Sequence, residues 1–188
     1  MSLLLRDALL ADGRHADLLL AEGRIARIAE TGALAVEDAE VRDLEGLLLL
    51  PGLVEGHIHL DKTLLGLPWM PHLPGSSVAE RIEAEKRLRR DLPMPIAARA
   101  EALLTRCAAH GVTAMRCHVD IDDEIGLAGA EALLELRQRW RERIDIQLVA
   151  FPQSGILRQR RTAELMEEAL RLGFEVVGGL DPAGRFRD

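Results

Sequence analysis

The sequence predicts an α/β fold built around a parallel β-sheet and preceded by a small all-β region. From residue 51 onward, apolar strand-like segments alternate with helical segments at a spacing of roughly 30 residues, which is typical of βαβ units. Before that point, short apolar segments are separated by glycine turns. The dipeptide Pro51-Gly52 separates the two patterns. Alternation of this kind produces either an open doubly wound sheet or an eight-stranded barrel.

The composition indicates a globular protein with a hydrophobic core. Of the 188 residues, 48% are hydrophobic and 29% are charged, and the formal net charge is −7. This acidic balance argues against nucleic acid as a partner, because nucleic-acid binders carry a basic face. No stretch approaches the ~18 apolar residues of a transmembrane helix, and the short N-terminal apolar run does not resemble a signal peptide. We therefore expect a cytoplasmic protein without a membrane partner.

Residues 1–50 are expected to form short strands joined by turns. Asp12-Gly13 and Glu22-Gly23 are turn dipeptides between apolar segments. The apolar runs 18–20 and 25–28, on either side of the second turn, predict a β-hairpin. A further apolar run at 47–50 completes a β region that is too thin to bury a core alone.

The second part of the chain repeats strand and helix. The apolar pattern predicts strands at 53–60, 112–121, 144–151 and 174–180. Helical spacing of apolar residues predicts helices from Ser76 or Ser77 to Arg90, at 96–108, at 127–140 and at 165–170, the last closed by Gly173. No glycine-rich nucleotide-binding motif follows any of these strands, so a nucleotide-binding version of the fold has no support.

Polar side chains gather near the carboxyl end of each predicted strand. Because side chains two residues apart in a strand share a face, His57, His59 and Asp61 are expected to point the same way. The same parity groups Arg116 with His118 and Asp120, Gln147 with Val149, Phe151 and Gln153, and Val177 with Gly179 and Asp181. Ligand sites of both parallel-sheet folds lie at the carboxyl ends of the strands, so we expect the functional side chains to meet there.

The pair His57-x-His59 is the sharpest local signal in the chain. On a strand, imidazoles at i and i+2 point into one space and can both reach one divalent metal ion. A bound metal can generate a hydroxide nucleophile at neutral pH. The pattern by itself fits ordinary core or surface histidines equally well. The motifs HxE with PCxxC, HExxH and GxSxG are all absent, which excludes several other hydrolytic chemistries.

Four ordered segments resemble the amidohydrolase superfamily, and more narrowly its cytosine deaminase-like branch. They are residues 51–62 (PGLVEGHIHLDK), 116–120 (RCHVD), 149–155 (VAFPQSG) and 176–182 (VVGGLDP). In the N-terminal part, residues 12–14 (DGR) and 43–46 (DLEG) also match the β-sandwich that precedes the barrel of this family. The resemblance covers almost the whole chain.

The resemblance implies a fold and two domains. Residues 51–188 are expected to be the first half, about four strands, of a (β/α)8 TIM barrel. Residues 1–50 are expected to form the N-terminal part of a small β-sandwich. The family places a further metal-binding His, a proton-shuttling Glu, a second His and an Asp ligand after the fourth strand. The sequence stops at Asp188, so we expect an incomplete fragment with no catalytic acid or base of its own.

The resemblance also assigns residues. His57 and His59 match two ligands of one divalent metal ion, with zinc or iron expected. Gln153 matches the glutamine that hydrogen-bonds a bound pyrimidine ring, with an ordinary loop role as the alternative. Asp61 is expected to support a ligand or to serve as a helix cap, and Asp181 is a further pocket candidate.

Three other positions are pocket candidates with less defined roles. His118 and Asp120 match a family His-Val-Asp that shapes the pocket floor, or they are a polar pair inside the barrel. Lys62 departs from the cytosine deaminase pattern, where Thr is usual, and this departure argues against cytosine itself as the substrate.

The function implied by the resemblance is hydrolysis of a C–N bond in a cyclic amidine such as a pyrimidine, by attack of metal-bound hydroxide. The expected partner is a small heterocyclic substrate, and the full-length protein is expected to be a homo-oligomer. Two alternatives stay open. One is a catalytically inactive fragment or assembly half, and the other is a ring-amide or N-substituted triazine amidohydrolase of the same fold.

Overall fold

The computed structural model describes residues 2–71, 77–156 and 160–179. The chain divides into two compact units, the first ending at Pro51 and the second beginning at Gly52. In these described ranges, no helix combines the length and the apolar character needed to cross a lipid bilayer.

The first unit is a four-stranded sheet with the order β3-β2-β1-β4. Its strands are β1 (Ser2–Leu9), β2 (His15–Ala21), β3 (Arg24–Glu30) and β4 (Ala39–Asp43). The expected hairpin is confirmed: β2 and β3 pair antiparallel around Glu22 and Gly23, both of which have positive φ. β4 pairs parallel with β1. The run 47–50 forms no strand, and only an isolated bridge joins Leu48 to Leu9.

The second unit is a four-stranded parallel sheet with helices between its strands, which confirms the α/β fold class. The strands β5 (Leu53–Ile58), β6 (Val112–Asp120), β7 (Asp145–Phe151) and β8 (Val176–Val177) lie in sequence order. The helices are α1 (Val78–Arg90), α2 (Ile96–Ala109), α3 (Ala128–Trp140) and α4 (Thr162–Leu172). Consecutive order without a reversal is the arrangement of strands in a barrel, whereas a doubly wound sheet reverses at a switch point.

Helix boundaries follow local capping chemistry. Ser77 caps α1 by accepting a hydrogen bond from the backbone N–H of Glu80, whose side chain accepts one from the Ser77 N–H in return. Ser76, the other candidate cap, lies outside the described residues. Gly173 follows α4 with a φ of 117°, a left-handed conformation that glycine adopts without strain.

Two predicted strands are shorter than expected. β5 ends at Ile58 instead of residue 60, and its register with β6 shifts between Glu55 and Ile58. The next backbone donor, the N–H of Leu60, turns to the thiol sulfur of Cys117 at 3.4 Å. β8 spans only Val176 and Val177, and the end of its expected strand at Leu180 lies outside the described residues.

Alternation along the central strands separates a core face from a polar face. Cys117 and Val119 on β6 are fully buried in the main hydrophobic cluster, together with Leu148 and Ala150 on β7. Helices α2, α3 and α4 contribute further members of this cluster, including Leu104, Leu133, Leu136, Leu165 and Ala169. The residues between these positions therefore point to the opposite face of the sheet.

Candidate functional site

Three imidazoles meet at the carboxyl ends of β5 and β6. The rings of His57 and His118 stack, with centroids 4.1 Å apart and planes inclined by 21°. The ring of His59 lies 5.4 Å from that of His57 and 5.6 Å from that of His118. Phe151, at the end of β7, meets His59 and His118 edge-on at 5.6 and 5.5 Å. Three neighbouring strands thus contribute rings to one cluster.

His59 is neutral in this environment. Burial, together with the positive charge of nearby Lys62, lowers the pKa of His59 to about 3. Its Nδ1 lies 3.7 Å from Oδ1 of Asp120, which is therefore a contact between a neutral ring and a carboxyl group and not an ion pair. Burial and the neighbouring His57 also lower the pKa of His118. Both rings are accordingly in the form that binds metals.

The donor set of this cluster fits a divalent metal in part. The Nδ1 atoms of His59 and His118 are buried and have no hydrogen-bond partner in the described part of the chain. Neutral imidazole nitrogens are good ligands for zinc and for iron. However, within the same ranges no group of three or more His, Cys, Asp or Glu side chains is placed to hold a metal ion. His57 and His59 thus provide two expected ligands, fewer than the three of a usual catalytic site.

Lys62 joins Gln153 to Asp120 beside the imidazole cluster. The Nζ of Lys62 donates to Oε1 of Gln153 at 2.5 Å, and lies 3.4 Å from both carboxyl oxygens of Asp120. Gln153 is 8% exposed and Asp120 is 1% exposed. Sequence reasoning singled out all three residues, and the structure brings them into one hydrogen-bonded group.

Helix α1 supplies two charged side chains that sequence reasoning missed. Arg89 donates from Nη1 to Oδ2 of Asp120 at 3.0 Å, and Oε1 of Glu85 lies 3.5 Å from Nζ of Lys62. Burial raises the pKa of Asp120, although the charges of Lys62 and Arg89 oppose that effect. The available signal was the spacing of Glu85 and Arg89, which are four residues apart and so share a helix face.

Asp61 lies in the loop after β5, beyond the reach of strand alternation. The strand ends at Ile58, so alternation no longer governs the direction of residue 61. Oδ2 of Asp61 accepts a hydrogen bond from the backbone N–H of Asp120 at 3.0 Å, and no hydrogen bond to His57 or His59 occurs among the described residues. Burial and the charge of Asp120 raise the pKa of Asp61 to about 7. Asp120, and not Asp61, is the carboxyl group beside His59.

A buried arginine fixes the loop that carries Asp61 and Lys62. Arg99 on α2 is 2% exposed and donates to the backbone carbonyls of Asp61, Thr63 and Met94. Sequence reasoning did not identify this residue, because nothing in the pattern distinguishes it from a solvated helix arginine. Asp181, the remaining candidate, lies outside the described residues.

Comparisons with known proteins identify a family. Residues 40–188 match the family described as the amidohydrolase family. The chain is similar to the solved structure of N-isopropylammelide isopropylaminohydrolase from Burkholderia multivorans, with a TM-score of 0.89 and 38% identity over 98% of this chain and 46% of that one. It is also similar to 5-methylcytosine deaminase from Klebsiella pneumoniae liganded with phosphonocytosine, with a TM-score of 0.77 and 34% identity over 95% of this chain and 43% of that one.

A curated relative points the same way. N-isopropylammelide isopropyl amidohydrolase from Pseudomonas sp. is 31% identical over 151 residues, which are 76% of this chain and 36% of that protein. The chain therefore spans about a third of this curated relative and less than half of the two solved structures. The resemblance found in the sequence is confirmed at the level of the family.

Proposed function

The chain belongs to the amidohydrolase family, and from that premise we propose that it takes part in metal-dependent hydrolysis of a C–N bond on a heterocyclic ring. The bond would join the ring to an amino or substituted amino group. One observation carries the proposal: the cluster of His57, His59 and His118 lies beside the hydrogen-bonded group of Lys62 and Gln153, at the carboxyl ends of parallel strands.

His57 and His59 would hold one divalent metal ion, with zinc or iron as the expected element. When bound, such an ion supplies Lewis-acid character and lowers the pKa of water. The chain's own residues prepare the site for it: burial keeps His59 neutral, and the ring of Phe151 covers one edge of the cluster. Asp120 lies beside Nδ1 of His59 and would orient that ring, as carboxylates near metal histidines often do.

Gln153 would bind the ring of the substrate. A primary amide can match the hydrogen-bonding edge of a heterocycle, and Gln153 is buried next to the cluster. His118, stacked on His57, would form part of the pocket floor. Asp61 would act indirectly, because its hydrogen bond to the backbone of Asp120 fixes the end of β6.

The similar proteins favour a substrate with an amino or alkylamino group on a pyrimidine or triazine ring. The names of the two similar solved proteins give N-isopropylammelide and 5-methylcytosine as their substrates. Lys62 at the position where a cytosine deaminase has Thr favours a ring other than cytosine. Both reactions replace a ring-bound nitrogen by oxygen from water, so one site architecture serves either.

Three further proposals accompany this function. We propose that the four-stranded first unit belongs to a small β-sandwich domain covering residues 1–50, and that residues 51–188 belong to a TIM barrel. We also propose a homo-oligomeric full-length protein. The cytoplasmic location expected from the sequence stays a prediction.

The test is an assay of the purified full-length protein with cytosine, 5-methylcytosine and N-isopropylammelide, after chelation and after addition of zinc or iron. Ammonia and isopropylamine are measured separately, so that the two kinds of leaving group are distinguished. We expect release of one of them only with metal, and its loss in His57→Ala. Metal-dependent stabilisation without release of either amine would overturn the enzymatic proposal.

That outcome would favour a second candidate function, a metal-binding chain without catalytic activity. It is supported by the observation that no third protein ligand joins His57 and His59 among the described residues. Both candidate functions require metal binding, which a titration with zinc or iron measures. A folded chain that binds neither metal would exclude both functions.

A further inference from the structure

The side-chain amide of Gln153 is held in one orientation. Nζ of Lys62 lies 2.5 Å from Oε1 of Gln153. An ammonium group carries three donors and no acceptor, so only the oxygen of the amide can face it. The reversed amide would place two donors against each other. The contact therefore fixes the orientation of the amide, with Oε1 toward Lys62 and Nε2 on the other side.

Lys62 cannot move away from this contact freely. Its ammonium group also lies 3.4 Å from both oxygens of Asp120 and 3.5 Å from Oε1 of Glu85. Its side chain is 13% exposed. Lys62 comes from the loop after β5, Asp120 from the end of β6 and Glu85 from α1, so three elements hold the ammonium group against the amide.

The remaining polar atom of Gln153 is a donor. In the ranges that the structure describes, the one side-chain hydrogen bond of Gln153 is the contact from Lys62 to Oε1, and Nε2 is not among the fully buried atoms that lack a partner. With Oε1 engaged by Lys62, a ligand meets an N–H group at Gln153 and no free carbonyl. A glutamine without such a neighbour can rotate its amide and match either a donor or an acceptor on a ring.

We infer that Lys62 is a positioning residue that makes the site select rings through a hydrogen-bond acceptor. The class is a heterocycle with a bare ring nitrogen next to an exocyclic oxygen, as in oxo-triazines, in preference to rings whose matching edge carries an N–H. This inference rests on the proposed function, because it takes Gln153 as the residue that binds the ring. Its new content is that the ring edge facing Gln153 must carry a hydrogen-bond acceptor and not a donor.

The selection works through hydrogen bonding and not through net charge. Lys62 and Arg89 face Asp120 and Glu85, so the two cations are balanced by two carboxyl groups within the same network. A ring needs no negative charge to satisfy the network. An N–H pointed at Nε2 of Gln153 would instead leave two buried donors without acceptors, which is costly.

Nuclear magnetic resonance reports on this amide directly. The sequence contains no Asn and only four Gln (Gln138, Gln147, Gln153 and Gln159), so a 15N-edited spectrum has four side-chain amide pairs. The pair that disappears in Gln153→Met is that of Gln153. We expect Lys62→Met to shift this pair, since its oxygen loses a charged donor, and Lys62→Arg to restore part of the shift.

A matched control is available on α1. Arg90 pairs with Glu124, its side chain is 60% exposed, and among the described residues it makes no hydrogen bond or ion pair with Lys62, Asp120 or Gln153. Arg90→Met also removes a cation from this region, and we expect it to leave the Gln153 pair in place. If Lys62→Met leaves the Gln153 pair unmoved while the protein stays folded, the proposed orientation is overturned.

Two neutral probes of nearly equal shape test the selectivity. 1-Methylcytosine offers a bare N3 beside O2, whereas 1-methyluracil carries N3–H at the same place. Binding is followed at the Gln153 amide in chelated protein, so neither metal nor turnover is needed. We expect a preference of about tenfold or more for 1-methylcytosine, a preference near one in Lys62→Met, and its return in Lys62→Arg.

The outcomes separate this inference from the proposed function. Equal binding of the two probes, tighter binding of 1-methyluracil, or no response of the Gln153 pair to either probe would overturn the inference. A clear preference in a protein that releases no amine in the presence of metal would leave the inference standing and overturn the proposed hydrolysis.

Discussion

Asp61 accepts a hydrogen bond from the backbone N–H of Asp120 at 3.0 Å, and both residues are 1% exposed. This bond ties the loop after β5 to the last residue of β6. The two elements carry His59 and Lys62 on one side, and His118 and Asp120 on the other. The relative position of the imidazole cluster and the Lys62 network therefore depends on the buried hydrogen bond between Asp61 and Asp120, which involves none of the imidazole rings.

Removing this acceptor should cost stability. In Asp61→Ala the buried N–H of Asp120 has no acceptor, and we expect the free energy of unfolding to fall by about 1–3 kcal/mol. Asp61→Asn is the control, because its amide oxygen can still accept the bond. Urea unfolding of the two variants, after chelation, measures the difference. Equal stability of the two variants would show that the hydrogen bond is not what Asp61 contributes.

Alternation along strands is why much of this site could be predicted from the sequence. His118 and Asp120 lie within β6, where residues two apart share a face, and Gln153 follows directly after β7. The same reasoning does not extend to Asp61, because β5 ends three residues earlier and the carboxyl group of Asp61 accepts a hydrogen bond from the backbone N–H of Asp120. The alternation of side chains between the two faces applies only to residues within the strand.

The contributions of helix α1 could not be predicted in the same way. Arg89 and Glu85 reach Asp120 and Lys62 because of how α1 packs against the sheet, and the sequence does not encode that position in any local pattern. A charge-rich helix face is usually exposed to solvent. The side chain of Arg89 is only 8% exposed, so the usual expectation would have dismissed it.

Divalent metal should stabilise the folded chain through His57 and His59. Zinc at 100 times its dissociation constant is expected to add about 2.7 kcal/mol to the free energy of unfolding, because it binds the folded state. His59→Ala should abolish most of this gain. The control is His110→Ala, since His110 is exposed at the C-terminal cap of α2 and is not one of the three clustered imidazoles. A zinc effect that survives in His59→Ala would assign the metal to other ligands.

The exposed edge of the parallel sheet should promote self-association. Among the described strands, β5 has a neighbour on one side only, and Leu53 and Val54 on it are 57% and 74% exposed. We expect Val54→Lys to lower the average mass in sedimentation at high protein concentration. Leu170→Lys, which adds the same charge on the exposed side of α4, should not. Identical sedimentation of all three proteins would mean that this edge is not an association surface.

A buried ion pair between α1 and the loop after β6 should make stability depend on pH in the acid range. Nζ of Lys86 lies 3.1 Å from Oδ2 of Asp122, and the two side chains are 6% and 3% exposed. Burial alone would raise the pKa of Asp122, but hydrogen bonds from the backbone of Ile125 and from Lys86 outweigh it and hold the pKa below 3.8. Because the pKa of Asp122 is lower in the folded than in the unfolded chain, its carboxylate stabilises the folded state at any pH above the ordinary pKa of 3.8.

The stabilisation from Asp122 is therefore lost as the pH falls below about 4, when the carboxylate takes up a proton. At neutral pH, Asp122→Asn keeps the oxygen that accepts from Ile125 but leaves the Lys86 cation buried without its partner, so we expect a loss of about 3–5 kcal/mol. Adding Lys86→Met should restore much of that loss, because the uncompensated charge is gone. Urea unfolding between pH 3 and pH 7 measures both effects. A double variant as unstable as Asp122→Asn alone would show that the ion pair is not the source of the stability.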